Sequence, residues 1–169
     1  MKKITGLIVA LLLVASVGSV AFAYGDTASG RATATSINLW YYDGNNYHAT
    51  LAYLTNITDT EVSCTVNFYS SDGEAYNSVL KVYKGNKTGS SVILTDESNS
   101  FKIPAHSTRC VEFKDLSKKN NTFGYAVIEW SSADTMVNKA LIGSLRKYGR
   151  AGAGTLFGTC SEINGGQPF

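Results

Sequence analysis

Apolar and polar side chains alternate along most of the chain. The alternation is cleanest at residues 62–69, where Val62, Cys64, Val66 and Phe68 share one phase and mainly polar side chains fill the other. A period of two residues indicates a β-strand with one buried face. Weaker alternation or short apolar runs predict further strands at residues 36–42, 47–54, 79–83, 92–94, 101–103, 108–113, 125–130 and 139–145.

Clusters of Asp, Gly, Asn and Ser separate these predicted strands. Residues 43–46 (Asp-Gly-Asn-Asn) have the composition of a hairpin turn, and residues 85–89 form a loop with glycine at both ends. No stretch shows a convincing helical period. The pattern therefore predicts an all-β fold over residues 36–148, an antiparallel β-sandwich of the immunoglobulin-like kind with about eight strands in two sheets.

Residues 1–23 have the three parts of a secretory signal peptide. They are a basic start at residues 1–3, an apolar run at residues 7–15 and the Ala-Phe-Ala of residues 21–23. We expect cleavage after Ala23, which predicts a bacterial protein that is periplasmic, exposed at the cell surface or secreted. We expect no integral membrane segment after cleavage, because no second apolar run is long enough to span a bilayer.

Signal-peptide removal also changes the charge. The full chain has 15 Lys and Arg residues against 13 Asp and Glu residues, and the lost segment contains two of the lysines. The product is formally neutral, so it has no general electrostatic attraction for nucleic acid or for an anionic membrane.

The two ends of the exported chain differ in composition from its centre. Residues 24–35 are small and polar, which predicts a flexible N-terminal arm. Residues 149–169 are rich in glycine, and we expect them to form a tail packed on the outside of the sandwich.

Three segments resemble small secreted bacterial domains of the immunoglobulin-like or fibronectin-like sandwich kind. They are residues 66–73 (Val-Asn-Phe-Tyr-Ser-Ser-Asp-Gly), residues 103–107 (Ile-Pro-Ala-His-Ser) and residues 124–128 (Gly-Tyr-Ala-Val-Ile). The likeness covers roughly residues 36–146 and consists of strand and turn patterns. It implies the fold and carries no active site.

An exported chain can form disulfides, and three cysteines allow at most one internal bridge. Cys64 lies in the core phase of its strand, whereas Cys110 alternates with Val111 and belongs to an outer face. Cys160 lies in the glycine-rich tail. We favour a Cys110–Cys160 bridge that pins the tail. The alternatives are a Cys64–Cys110 bridge between the sheets, which leaves Cys160 free to crosslink two subunits, and a chain without an internal bridge.

The sequence contains little that indicates catalysis. His48 and His106 are the two histidines, and neither has a cysteine or a second histidine at metal-ligand spacing. Aspartates sit in turns, where their side chains bond the backbone. We therefore expect no enzyme activity, no catalytic residues, no metal and no cofactor.

Aromatic side chains gather on the first predicted hairpin. Trp40, Tyr42 and Tyr47 could form an exposed platform that stacks on a ligand. This leaves two hypotheses. The first is a structural, adhesive or self-assembling surface protein whose partners are further copies of itself or other surface proteins. The alternative is a carbohydrate- or ligand-binding module that uses the hairpin to bind glycans.

Overall fold

The computed structural model describes residues 27–77, 80–85, 91–96, 98–114, 120–152 and 155–169. The predicted signal peptide and the start of the predicted arm lie outside these ranges. Within them, no helix has the length and apolar character that crossing a membrane requires.

Ten antiparallel strands account for most of the described chain. They are β1 (Ala28–Asp43), β2 (Asn46–Asn56), β3 (Val62–Ser70), β4 (Leu80–Gly85), β5 (Ser91–Asp96), β6 (Ser100–Ile103), β7 (Thr108–Phe113), β8 (Asn120–Ser132), β9 (Leu141–Ala151) and β10 (Thr155–Glu162). A 3-10 turn, Ile163–Gly166, follows β10. The predicted all-β antiparallel class is confirmed, with ten strands in place of about eight.

Hydrogen bonds join the ten strands into one sheet that curls until it is nearly closed and barrel-like. We divide this sheet into a six-strand half, in the order β5-β4-β7-β2-β9-β10, and a four-strand half, in the order β1-β8-β3-β6. The halves meet at the hairpin between β1 and β2, where β1 pairs with β2 only from Trp40 to Asp43. The strands are thus connected continuously, whereas the sequence predicted two sheets.

Thr50 compensates for lost strand pairing where β1 turns away from β2. Its hydroxyl donates to the Asn38 carbonyl oxygen at 3.0 Å and accepts from the Asn38 N–H at 3.2 Å. Thr50 is fully buried, so both backbone groups would otherwise lack a partner. One side chain therefore allows β1 to continue toward β8 and start the four-strand half.

The two halves share one hydrophobic core. Phe68 of β3 and Phe113 of β7 lie on opposite halves, and their rings meet edge to face with centroids 5.7 Å apart. Cys64 is buried on the same face of β3 as Phe68, as the alternation predicted. The core therefore depends on contacts between the halves as well as on pairing within each.

The predicted flexible arm, residues 24–35, is wrong from Ala28 onward. Residues 28–34 are the first part of β1 and pair in register with residues 126–132 of β8. No side chain fits at Gly30, because the Trp130 indole occupies the place that a Cβ there would fill. The glycine in this segment therefore reflects close packing and not flexibility.

The glycine-rich C-terminal segment is also more ordered than a surface tail. β9 continues to Ala151, and β10 pairs with it along its whole length. Phe169 is buried, and its carbonyl oxygen accepts hydrogen bonds from Trp130 Nε1 at 2.8 Å and from the Leu141 N–H at 3.0 Å. Residues 155–169 thus extend the sheet and then return to the core.

Candidate functional site

The aromatic residues predicted to form a platform do not share one face. Trp40 is the direct cross-strand partner of His48, and their rings meet at 5.0 Å. Tyr47 precedes His48 in β2 and therefore points to the opposite face of the sheet. Tyr42 is 52% exposed near the turn. The structure therefore does not bring Trp40, Tyr42 and Tyr47 together as the predicted platform.

The two histidines lie in separate places. Burial lowers the pKa of His48, which is held against the Trp40 ring. His106 is exposed in a turn, where its Nε2 lies 2.8 Å from Asp59 Oδ1. Among the residues that the structure describes, no group of three or more His, Cys, Asp or Glu side chains is placed to hold a metal ion.

The three cysteines are free, and the strand order explains why neither predicted pairing forms. Cys110 on β7 and Cys160 on β10 are separated by β2 and β9. Strands lie about 4.8 Å apart, so these thiols are well beyond disulfide distance. Cys64 points into the core and Cys110 points outward. The predictions of a Cys110–Cys160 bridge and of a Cys64–Cys110 bridge are therefore both wrong.

A cluster around Glu112 lies on the outer face of the six-strand half. Val111 and Phe113 of β7 point into the core, so Glu112 between them points outward, yet it is only 9% exposed. The Tyr83 hydroxyl donates to Glu112 Oε2 at 2.7 Å, and the Tyr148 hydroxyl donates to Glu112 Oε1. A carboxylate is thus covered by phenols from β4 and β9, which lie on either side of the pair β7 and β2.

Lys114 supplies the opposite charge. Its Nζ lies 3.9 Å from Glu112 Oε1, and it sits over the rings of Tyr47 and Tyr148 at 5.1 and 5.9 Å from their centroids. Cation–π contacts of this kind stabilise a partly buried ammonium group. We call the set of Tyr47, Tyr83, Glu112, Lys114 and Tyr148 the Glu112 cluster.

The environment of the Glu112 cluster favours the protonated forms of a neighbouring phenol and a neighbouring thiol. Burial, followed by the hydrogen bond and the negative charge of Glu112, raises the pKa of the Tyr148 phenol. Burial, assisted by Glu112, also raises the pKa of the Cys110 thiol to about 11. At neutral pH Cys110 is therefore a thiol, the weakly nucleophilic form of cysteine. This arrangement is suited to holding a ligand by contact and hydrogen bonding.

A groove of about 490 Å³ adjoins the cluster. Its walls come from four strands, and its lining residues are Leu51, Tyr53, Tyr83, Gly85, Thr108, Cys110, Glu112 and Tyr148. The pattern of residues did not predict this site, because a glutamate in the polar phase of a strand usually faces solvent. The available signal was the outward phase that Tyr53, Cys110 and Glu112 share, but it does not reveal which strands are neighbours.

The edges of the sheet form a second functional feature. β5 and β10 lie at the two ends of the six-strand half, and neither is paired on its outer side by another described strand. β5 exposes apolar side chains on its edge, with Ile93 at 50% and Leu94 at 37%. β10 is exposed from Gly158 to Glu162, including Cys160.

The edge of the four-strand half differs. β6 has four residues and ends before Pro104. Its Lys102 is exposed and forms an ion pair in which Lys102 Nζ lies 2.7 Å from Glu61 Oε1. Short length, a lysine and a nearby proline are common protections of an edge strand against pairing with another chain.

Comparison with known proteins gives little. No protein-family model matches the chain, and no curated protein matches it. A solved structure of a Bacillus endospore appendage, from a family of disulfide-linked pili, is similar at 16% identity over 68% of this chain and 96% of its own, with a TM-score of 0.14. A likeness at this level carries no argument about fold or function.

Proposed function

We propose that this protein is an exported, non-enzymatic structural component that assembles with copies of itself at the bacterial surface. The observation that carries the proposal is the pair of open edges, β5 and β10, at opposite ends of the six-strand half. An unpaired strand edge presents a row of N–H and C=O groups that can accept a strand from another chain.

Strand direction favours a head-to-tail contact between copies. Each neighbouring pair from β5 to β10 is antiparallel, so the two outermost of six strands run in opposite directions. A copy displaced sideways therefore brings its β5 alongside β10 in antiparallel orientation. The sheet continues with its alternation intact. Contacts that join two different edges leave one edge open at each end of the chain of copies, which allows growth into a filament.

The proposed junction is modest in strength. Each backbone hydrogen bond that it adds contributes about 0.5–1.5 kcal/mol net. Covering the exposed half of Ile93 adds roughly 1 kcal/mol. Ser91, Val92 and Ile93 pair with β4 in regular register, and the irregularity follows them at Leu94, which falls between the residues that pair with Val82 and Tyr83. The part of β5 before Leu94 is thus regular strand that can pair on its other side.

Substitution of Ile93 by lysine tests the junction. Ile93→Lys places an ammonium group in the middle of the edge, and the cost of desolvating it opposes pairing. We expect wild-type protein to form chains at increasing concentration and the variant to remain monomeric, as measured by size-exclusion chromatography with light scattering and by negative-stain electron microscopy. Ile57→Lys is the matched control, because Ile57 is 44% exposed just after β2. It should assemble like wild type.

Two results would contradict this function. One is a wild-type protein that is strictly monomeric at every accessible concentration. The other is assembly that Ile93→Lys and Ile57→Lys reduce equally, which would point to general surface hydrophobicity. Export is tested separately, since N-terminal sequencing of the mature protein should begin at Tyr24.

We also infer that the two halves correspond to the two layers of an immunoglobulin-like sandwich. The shared core between Phe68 and Phe113 supports this inference, as does the short pairing between β1 and β2, which links the described strands of the two halves only from Trp40 to Asp43. In such a sandwich the inner faces of two sheets pack together while their edges stay free.

A further inference from the structure

The groove beside the Glu112 cluster has the composition of a small-ligand site. Its volume of about 490 Å³ falls in the range of roughly 300–1,000 Å³ that is typical of such sites. Three tyrosines and Leu51 provide apolar surface, while Glu112 and Thr108 provide convergent polar groups. Combining apolar walls with a few fixed polar groups is how small-molecule sites achieve both affinity and orientation.

Charge at the groove narrows the class of ligand. The Glu112 carboxylate is compensated by Lys114 at 3.9 Å, so the pair is neutral overall. Glu112 is the charged residue in the lining of the groove, so an anionic ligand would meet its repulsion. A cationic ligand would gain little from Glu112, because the carboxylate charge is already compensated by Lys114. A neutral ligand avoids the repulsion and does not depend on that attraction.

The hydrogen bonds of the cluster narrow the class further. Both the Tyr83 and the Tyr148 hydroxyl donate to Glu112, which commits their protons. A phenol oxygen still has acceptor capacity when its proton is donated, and a carboxylate oxygen has more than one acceptor site. The groove therefore offers the Tyr148 oxygen and the Glu112 carboxylate as fixed acceptors to a ligand that brings hydroxyl donors.

From these features we propose that the groove binds a neutral saccharide. Sugar hydroxyls donate to the Tyr148 oxygen and to Glu112, and the C–H faces of the ring pack on the tyrosine side chains. The proposal does not rest on self-assembly, because the groove lies on the outer face of the sheet and the proposed junction involves its edges.

Titration with neutral, anionic and cationic sugars tests the proposal. We would follow the protein by NMR and by calorimetry with glucose and N-acetylglucosamine and their β-1,4-linked disaccharides, together with glucuronic acid and glucosamine. We expect at least one neutral sugar to bind. The anionic and cationic analogues should bind about tenfold more weakly or not at all. Signals that move should map to the neighbourhood of Tyr53, Glu112 and Tyr148.

Variants distinguish the groove from other aromatic surfaces. Tyr53→Ala removes a wall, and Tyr148→Phe removes one acceptor while keeping the ring, so each should weaken binding about tenfold. Tyr125→Ala is the control, since Tyr125 is exposed on the four-strand half and should leave affinity unchanged. Thermal melts of each variant would establish that it folds, and Tyr148→Phe, which keeps its ring, remains the test if Tyr53→Ala does not.

Several results would overturn the proposal. They are the absence of binding by every neutral sugar in the panel, tighter binding of glucosamine or glucuronic acid than of the neutral sugars, and binding that Tyr125→Ala weakens while Tyr148→Phe does not. The first would show that the groove has another ligand class or none. The second would show that the Glu112–Lys114 pair does not set the charge preference.

Discussion

β6 is an edge strand of the four-strand half and β5 is an edge strand of the six-strand half, and the two carry different side chains. Lys102 of β6 is exposed and paired with Glu61, and the strand is only four residues long. β5 has six residues and exposes Ile93 and Leu94. A protected edge strand and an exposed apolar one therefore occur in the same molecule. Because β6 is protected against pairing with another chain, the exposed apolar side chains of β5 need an explanation.

The outer faces of the two halves also differ, in how deeply each buries its charged side chains. On the four-strand half, Arg31 and Glu129 pair at 3.8 Å across the surface, with both side chains largely exposed. Such a pair contributes little, on the order of 0–1 kcal/mol. On the six-strand half, Glu112 is nearly buried beneath two tyrosines. Both groups that we propose to be functional, the open edges and the groove, thus belong to the six-strand half.

The largest expected effect compares how tightly β8 packs on β3 in the four-strand half with how loosely β4 packs beside the open β5 edge of the six-strand half. A Cβ at Gly124 in β8 would overlap the Tyr69 carbonyl oxygen of β3, so Gly124→Ala must push two paired strands apart. We expect a loss of roughly 3 kcal/mol or more in the free energy of unfolding. Urea denaturation followed by circular dichroism measures this loss.

Gly85→Ala in β4 is the matched control. No described atom lies within 4 Å of a Cβ at that position, so its effect should stay within about 0.5 kcal/mol. Equal destabilisation by the two variants would mean that the contact with the Tyr69 carbonyl oxygen is not the cause of the loss at Gly124.

The second prediction uses one buried thiol from each half. Burial raises the pKa of Cys64 to about 12, and burial with the charge of Glu112 raises that of Cys110 to about 11. Above about pH 9 the unfolded chain loses these protons while the folded chain keeps them. The unfolding free energy should therefore fall as pH rises from about 9 toward 11.

Single alanine variants separate the two contributions. Cys64→Ala should flatten the decline more than Cys110→Ala, because its pKa shift is larger. Denaturation by urea at pH 7 to 11, in the presence of reductant, gives the slopes. A decline that is parallel in Cys64→Ala and wild type would contradict the burial of Cys64 in the four-strand half.

The sequence predicted those parts of the fold that depend on local alternation. The strand at residues 62–69 and the turn at residues 43–46 were correct because period and turn chemistry are properties of neighbours in the chain. Residues 28–35 were assigned to a flexible arm because the segment is small and polar. The missing side chain at Gly30 is explained by Trp130, a residue one hundred positions away.

The site was less predictable than the fold for the same reason. The outward phase of Cys110 followed from alternation, but the pairing with Cys160 needed the strand order, which places β2 and β9 between them. The Glu112 cluster combines residues from β2, β4, β7 and β9. Alternation along a strand shows which face of the sheet a side chain occupies. Only the order of the strands shows which side chains are neighbours on that face.

The smallest expected effect on stability gives a sharp test of the edge comparison. Lys102→Ile removes the protection of β6, and its exposed ion pair with Glu61 contributes little to folding. The variant should unfold at nearly the same urea concentration as wild type. It should nevertheless associate at lower protein concentration, because β6 then presents an apolar edge. Light scattering against concentration measures this association, and Lys139→Ile, which changes an exposed lysine outside the strands, is the control. If Lys139→Ile promotes association as strongly, added surface hydrophobicity explains both results and edge protection by Lys102 does not.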